Sequence, residues 1–393
     1  MIKDKINVAL FCDVYFPMID GVVKVIESQV GYLSDRVNFY LFVSKAPKGY
    51  IEKSIGEVQL FRVKSVKMFF VDYQMVTPLL DCKFQKELKS KKFDLFLIHS
   101  AFGLGKYAIK YAKKNNIPSI IYAHSQLYQD FKRIIKFKFI AKIMIKAVMH
   151  RYSKCDIVVP VGEGVKDIYL NQYKLKNETF VINNATDMKY LNNPDLINTL
   201  VKRYNIDQNK IIFSFLGRIN KLKGLWLIAD ALKIVKDQGL DFQMIFIGEG
   251  QDRKALENYI KKIGLEENTI FTAGISSSDE VAGLLQISDL FLFPSLYDTN
   301  SLVQVEAASQ NTASLLVKES VTAYGLTDGK GCYLTTYDTK EYAKKILEVS
   351  KSKESLKEMG ILANKYIYRT WEDSHNLLYN LMIKLIKDKE TKE

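Results

Sequence analysis

The chain has 393 residues, 48% of them hydrophobic, with four cysteines and a formal net charge of +13. That length and apolar content suffice for two ordinary cores, which excludes a disordered segment and a disulfide-stapled miniprotein. Cys12, Cys82, Cys155 and Cys332 lack zinc-like spacing and read as reduced structural thiols, and no apolar run reaches the roughly 18 residues of a membrane span.

In chain order, the first half offers short β-branched or aromatic runs at Ile6–Phe11, Asn38–Val43, Leu95–Ile98, Ser119–Tyr122 and Ile157–Val159. The second half repeats the pattern at Ile211–Leu216, Gln243–Ile247, Thr269–Thr272, Leu290–Phe293 and Ala313–Val317. Such runs, alternating with helical patterns, predict buried parallel strands in an α/β protein of two Rossmann-like, doubly wound domains. The polar, Asn-rich stretch Asn183–Asp207 is placed as the linker, giving domains at 1–190 and 191–370. Trp371 and Glu372, followed by Leu377, Leu378, Leu381, Met382 and Leu385, predict a closing amphipathic helix over 371–393, with Lys387–Glu393 as a frayed tail.

Charge is unevenly spread. Residues 1–200 hold 31 Lys and Arg against 18 Asp and Glu, so they carry the whole surplus. Residues 83–151 alone hold 16 basic and 3 acidic side chains, a field that attracts anionic surfaces. Within it, Lys132–Arg151 has seven basic residues and no acid. At helical spacing, Ile134, Phe137, Ala141, Met144, Ile145 and Val148 share one face, with Lys132, Lys136, Lys142, Lys146 and His150 opposite and Phe139 and Ile143 among the basic residues. Two readings stand side by side: a domain helix with a solvated charged face, or an interfacial helix docking on anionic lipid through Lys132, Arg133, Lys136, Lys138, Lys142 and Lys146 while Phe139 and Ile143 dip between headgroups. Nucleic acid is not expected, because the aromatics are not laid out as a stacking platform. The opening MIKDKINVALFCD is broken by Asp13 too early for a signal peptide, so the expected location is cytoplasmic, peripheral on the inner face of the cell membrane at most.

Two stretches carry chemistry. SFLGRINKLKG places Arg218 and Lys223 just past a strand, where a guanidinium fork and an ammonium can bracket a diphosphate without a metal. FLFPSLYDTNSLVQVEAA ends a strand at Pro294-Ser295 and opens a helix, with Asp298 in the loop and Glu306 in the helix. The backbone of Thr299, Asn300, Ser301 and Leu302 would present N–H groups at the positive end of that helix, which suits a phosphate.

These two stretches make the chain resemble the family-4, retaining glycosyltransferases of the GT-B fold, whose signature is an acidic residue and a Glu separated by seven residues, preceded by this Arg and Lys. FCDVYFPMIDGVV, DLFLIHSAFGLG, IYAHSQLYQDFK, VINNATD, MIFIGEG and IYRTWEDS extend the resemblance along nearly the whole chain, and the wording is most similar to enzymes that glycosylate diacylglycerol or other membrane-bound acceptors. The resemblance implies that His124 faces the interdomain cleft and bonds the donor sugar or the reacting region, against the alternative of a satisfied core histidine. It further implies that Asp298 accepts from sugar hydroxyls, Glu306 from the ribose diol, and that Arg218 and Lys223 stabilise the leaving diphosphate. Gly21 would let backbone approach the donor or acceptor, or serve as a plain turn glycine; His99 would lie near the acceptor or in packing. The usual glycine of the signature loop is Ser301 here, strained if the position needs positive φ and an added donor if it begins the helix.

The expectation is therefore a metal-independent, retaining hexosyltransferase with no cofactor beyond a nucleotide-sugar co-substrate, UDP- or GDP-linked, and a lipid acceptor such as diacylglycerol. Assembly of a surface polysaccharide on a lipid-linked carrier, or a non-catalytic membrane-binding partner of another transferase, are the alternatives.

Overall fold

The computed structural model describes residues 5–17, 21–52, 58–67, 74–135, 137–272, 274–275 and 277–391. The chain divides into two compact units, Met1–Asn184 with Trp371–Glu393, and Ala185–Thr370. The division falls at Asn184–Ala185 rather than at 190/191. The stretch read as linker contains a helix, Pro194–Arg203, started by Asn193, whose side chain accepts from Leu196 N–H, and by proline at the first position.

The first unit is built on strands β1 (Ile6–Cys12), β2 (Val37–Ser44), β3 (Gln59–Val63), β4 (Ser65–Lys67), β5 (Gln74–Val76), β6 (Leu95–Ile98), β7 (Ser119–Ala123), β8 (Ile157–Pro160) and β9 (Glu178–Thr179). Its helices are α1 (Gly21–Leu33), α2 (Cys82–Lys89), α3 (Gly103–Lys114), α4 (Leu127–Ile134), α5 (Lys138–Tyr152) and α6 (Glu163–Asp167). Seven strands form one sheet in the order β3-β2-β1-β6-β7-β8-β9, all parallel, while β4 and β5 pair as an antiparallel ribbon. The central strands are apolar throughout because helices cover both faces of a doubly wound sheet, and Phe11, Phe42 and Phe96 pack ring against ring inside it.

The second unit takes α7 (Pro194–Arg203), β10 (Ile211–Leu216), α8 (Leu225–Asp237), β11 (Phe242–Ile247), α9 (Arg253–Lys262), β12 (Thr269–Phe271), α10 (Ser278–Ile287), β13 (Leu290–Phe293), α11 (Leu302–Ser309), β14 (Ser314–Val317), β15 (Cys332–Thr335), α12 (Thr339–Val349) and α13 (Lys353–Tyr366). Its six parallel strands run β12-β11-β10-β13-β14-β15 around a core that includes Phe213, Phe215, Phe246, Phe291 and Phe293. In each sheet the strand order reverses once, beside β1 and β6 in the first unit and beside β10 and β13 in the second. Those switch points, at the carboxyl ends of the strands, are where such sheets hold ligands.

The closing helix, α14 (Trp371–Glu390), packs on α1 within the first unit through Trp371, Ser374, His375, Leu378, Leu381, Met382 and Leu385. Leu377 is 47% exposed and not on the buried stripe. Helix continues to Glu390 instead of fraying at Lys387, and Lys389 bonds Asn116 and pairs with Asp156 at 3.2 Å.

Candidate active site

In the second unit three loops at the strand ends are pressed together. Gly224, at φ +73°, ends a short turn over Lys221–Lys223 and starts α8, and a side chain there would meet Pro294 within about 3.0 Å. Only glycine allows both that backbone conformation and that approach. Gly250, after β11, lies so close to Ile219 that a Cβ would fall 2.1 Å from its carbonyl oxygen. The loops after β10, β11 and β13 therefore meet at the sheet's switch point.

This packing brings Lys223 Nζ within 2.6 Å of Asp298 Oδ1, with the two side chains 18% and 20% exposed. The buried Ser295 hydroxyl donates to the other carboxylate oxygen, Oδ2. Two of the charged residues singled out from sequence are thus in contact. Ser295 was not singled out, although its place in FLFPSLYD, three residues before the acid, is that of a hydroxyl that can turn back onto Asp298. Arg218 is exposed in the loop after β10.

Ser301 is the N-cap of α11 at φ −77°, ψ 114°, so it is unstrained and the helix begins at Leu302. Asn300 immediately precedes that cap, and Glu306 stands in the second turn of α11. The first N–H groups of α11 and the positive end of its dipole lie beside Asp298 in the chain, an arrangement that accepts an anion.

In the first unit, Gly21 opens α1, and Met18, Ile19 and Asp20 before it lie outside the described residues. Asp13, after β1, is buried and caps α3 by accepting from Leu104 N–H at 2.7 Å, with Ser100 donating to its second oxygen. Burial raises its pKa above the ordinary value against these hydrogen bonds. His99 and His124 follow β6 and β7, and His99 Nδ1 lies 3.0 Å from His124 Nε2. Burial lowers the His124 pKa to about 3 and that of His99 well below the usual range, so both are neutral at ordinary pH.

The basic stretch is not one helix. It breaks between α4 and α5, where Ile135 and Phe137 are extended at ψ 115° and 111°. Consequently Phe137 is not on a buried face: it is 70% exposed, with Phe139 at 73% and Ile143 at 51%. Ala141, Ile145, Val148, Met149 and Tyr152 form the buried side of α5, while Lys132, Arg133, Lys138, Lys142 and Lys146 are exposed. Lys136 lies outside the described residues. No helix among the described residues is long and apolar enough to cross a membrane.

Comparison with known proteins agrees with this architecture. Residues 19–190 match the family described as Glycosyltransferase Family 4, and residues 197–366 match Glycosyl transferases group 1. The chain is 24% identical to an alpha-monoglucosyldiacylglycerol synthase from Acholeplasma laidlawii, over 95% of this chain and 96% of the relative. It is 25% identical to the synthase of the same name from Streptococcus pneumoniae, over 78% of this chain and 70% of that one. Among solved structures, HepE from Anabaena in complex with UDP and glucose superposes with a TM-score of 0.75 at 15% identity, covering 96% of this chain and 99% of the other. With two parallel-sheet units and both family matches, the chain belongs to the family-4 glycosyltransferases of the GT-B fold.

Proposed function

We propose that the protein is a retaining, metal-independent hexosyltransferase that moves a hexose from a UDP-linked donor to a membrane lipid acceptor of the diacylglycerol type. The lipid reading is carried by one surface, the amino-terminal end of α5. Phe137, Phe139, Ile140 and Ile143 are exposed there amid Lys138, Lys142 and Lys146, with Lys132 and Arg133 at the end of α4. Exposed aromatic and aliphatic side chains among lysines suit an anionic bilayer, where the cations meet headgroup phosphates and the apolar groups enter the acyl boundary. The names of the two bacterial relatives support a diacylglycerol acceptor, and the UDP and glucose bound by HepE support a UDP-glucose donor.

In the proposed reaction, Arg218, Lys223 and the first turn of α11 hold the diphosphate, Glu306 accepts from the ribose hydroxyls and Asp298 from the sugar hydroxyls. Asn300, Ser301 and Leu302 shape the approach to the helix end, Gly21 lets the backbone come near the substrate, and His124 bonds a sugar hydroxyl. As the bond from the anomeric carbon to phosphate oxygen breaks, negative charge grows on the diphosphate and the cations stabilise it. The acceptor oxygen bonds the anomeric carbon from the face that the diphosphate leaves, and its proton passes to the departing phosphate oxygen. Lys223 exchanges Asp298 for the donor diphosphate on binding, which frees the carboxylate for the sugar.

The test is transfer of radiolabelled sugar from a panel of UDP- and GDP-sugars into diacylglycerol in anionic liposomes with EDTA present. Label in the organic phase from a UDP-hexose, lost in an Asp298→Ala/Glu306→Ala variant, is the expected result. Transfer only to lipid-linked oligosaccharide would redirect the reading to polysaccharide assembly, transfer abolished by EDTA would end metal independence, and an inverted anomer would end the retaining mechanism.

A further inference from the structure

β6 and β7 run side by side in register, Ile98 opposite Ile121, so the residues just past their ends are neighbours. There the rings of His99, Tyr122 and His124 stack, with His99 and Tyr122 centroids 4.8 Å apart at 11° and Tyr122 and His124 5.2 Å apart at 12°. His99 Nδ1 and His124 Nε2 are 3.0 Å apart, and His99 is 4% exposed. Its other ring nitrogen, Nε2, has no hydrogen-bond partner among the described residues.

Two neutral imidazoles joined by one hydrogen bond share a single bridging proton, and its position fixes both tautomers. If the proton belonged to His124 Nε2, His99 would carry its own on Nε2, a buried N–H without an acceptor. If it belongs to His99 Nδ1, His99 keeps a bare Nε2 and His124 carries its proton on Nδ1. Buried N–H groups without acceptors are rarer in folded proteins than unmet acceptors, which favours the second arrangement.

We propose that His99 is a positioning residue: by donating from Nδ1 to His124 Nε2 it holds the His124 ring and sets it as the Nδ1–H tautomer. This rests on the reading that His124 acts on the donor sugar, and it names the atom and the proton involved. The Tyr122 ring stacks against both histidines, whose own centroids lie 5.2 Å apart at 19°, and so restrains both rings.

The experiment is nuclear magnetic resonance of the full chain labelled with ¹⁵N-histidine. The four histidines are assigned by single substitutions and the ring nitrogens read for tautomer. The wild-type His124 signal is expected to be of the Nδ1–H form. His99→Phe, which keeps a ring against Tyr122 but removes the donor, should release His124 to the Nε2–H form and lower kcat about tenfold with donor KM nearly unchanged. His99→Asn, whose amide can donate from near the Nδ1 position, should restore the tautomer and most of kcat. An Nε2–H signal for His124 in the wild type overturns the proposal whatever the variants do, and so does His99→Phe with an unchanged tautomer and rate. If His124→Ala transfers sugar at the full rate, the catalytic role of His124 falls and the kinetic consequence with it, while the wild-type ring signals decide separately whether His99 sets the tautomer.

Discussion

At the residue scale, the contacts around Asp298 rank the groups that hold it. Lys223 serves Asp298 now and the diphosphate in the proposed reaction, so Lys223→Ala strips a half-buried carboxylate of its ion pair and the leaving group of a cation. A fall in kcat/KM of roughly 10²–10³ is expected, the range for one charge-stabilising donor. Ser295→Ala removes only a neutral hydroxyl from the same carboxylate, worth about 1 kcal/mol, so several-fold is expected. Steady-state kinetics on both variants check the order, and equal losses would sink the ranking. Lys223 and Asp298, which the structure pairs, were legible in the sequence because each follows an apolar run at the carboxyl end of a strand, where charge has no packing role. Ser295 was not, since a serine after proline has the same appearance in any turn, and its hydrogen bond exists only once the β13 loop has closed. Ser301 left two geometries open, and the φ of −77° selects the unstrained helix cap.

At the element scale, the buried strands were readable because parallel sheets demand unbroken apolar runs, and observed ends lie close to the expected ones. Three of the edge strands were not: β3 and β15 are half-buried and β9 spans only two residues, so none produces such a run, whereas the edge strand β12 was expected at Thr269–Thr272. The helix α7 was hidden by the polarity of its surroundings although Asn193-Pro194 is a helix start. The basic stretch misled differently. Its period is helical on both sides of the break, and nothing in hydrophobic spacing marks where Ile135 and Phe137 become extended. The break matters, because it turns Phe137 outward beside Phe139 and Ile143. Phe139→Glu with Ile143→Glu places two anions on that exposed surface without touching the buried side of α5. Binding to anionic liposomes should fall at least tenfold in sedimentation assays, with the thermal midpoint unchanged within about 2 °C. Wild-type binding that is indifferent to lipid charge and salt, or a double variant that binds as well as wild type, would remove α5 from the membrane contact.

At the scale of the whole molecule, His99 and His375 are buried and His124 half-buried in the first unit, and acid should open that unit first. Burial lowers His124 and His375 to about 3 and His99 well below its ordinary value of 6.5. The unfolded chain therefore binds more protons than the folded one below about pH 6.5. Stability is complete above that pH and is lost as pH falls toward the folded values, by about 1.4 kcal/mol per pH unit for each histidine. By pH 5 His124 and His375 together remove roughly 4 kcal/mol, a large share of the stability of a domain, and His99 acts in the same direction. Asp13 works the other way, because its raised value contributes stability that is present at low pH and lost as pH rises through the folded pKa, so the observed slope should fall short of three protons. The basic surplus of residues 1–200 adds repulsion as the acids are neutralised. The two tryptophans separate the units, Trp226 lying in α8 and Trp371 in α14. In a Trp226→Phe variant, Trp371 fluorescence reports the first unit alone, and Trp371 is itself stacked on His375 at 5.1 Å. Urea unfolding followed this way from pH 7.5 to 5 should show stability falling with a slope between one and three protons. Adding His375→Phe, which keeps a ring against Trp371 and gives up only the bond to Ser28, should flatten that slope by about one proton. A slope that His375→Phe leaves unchanged would mean that His375 takes up its proton without opening the fold, and the acid limb would then belong to the carboxylates.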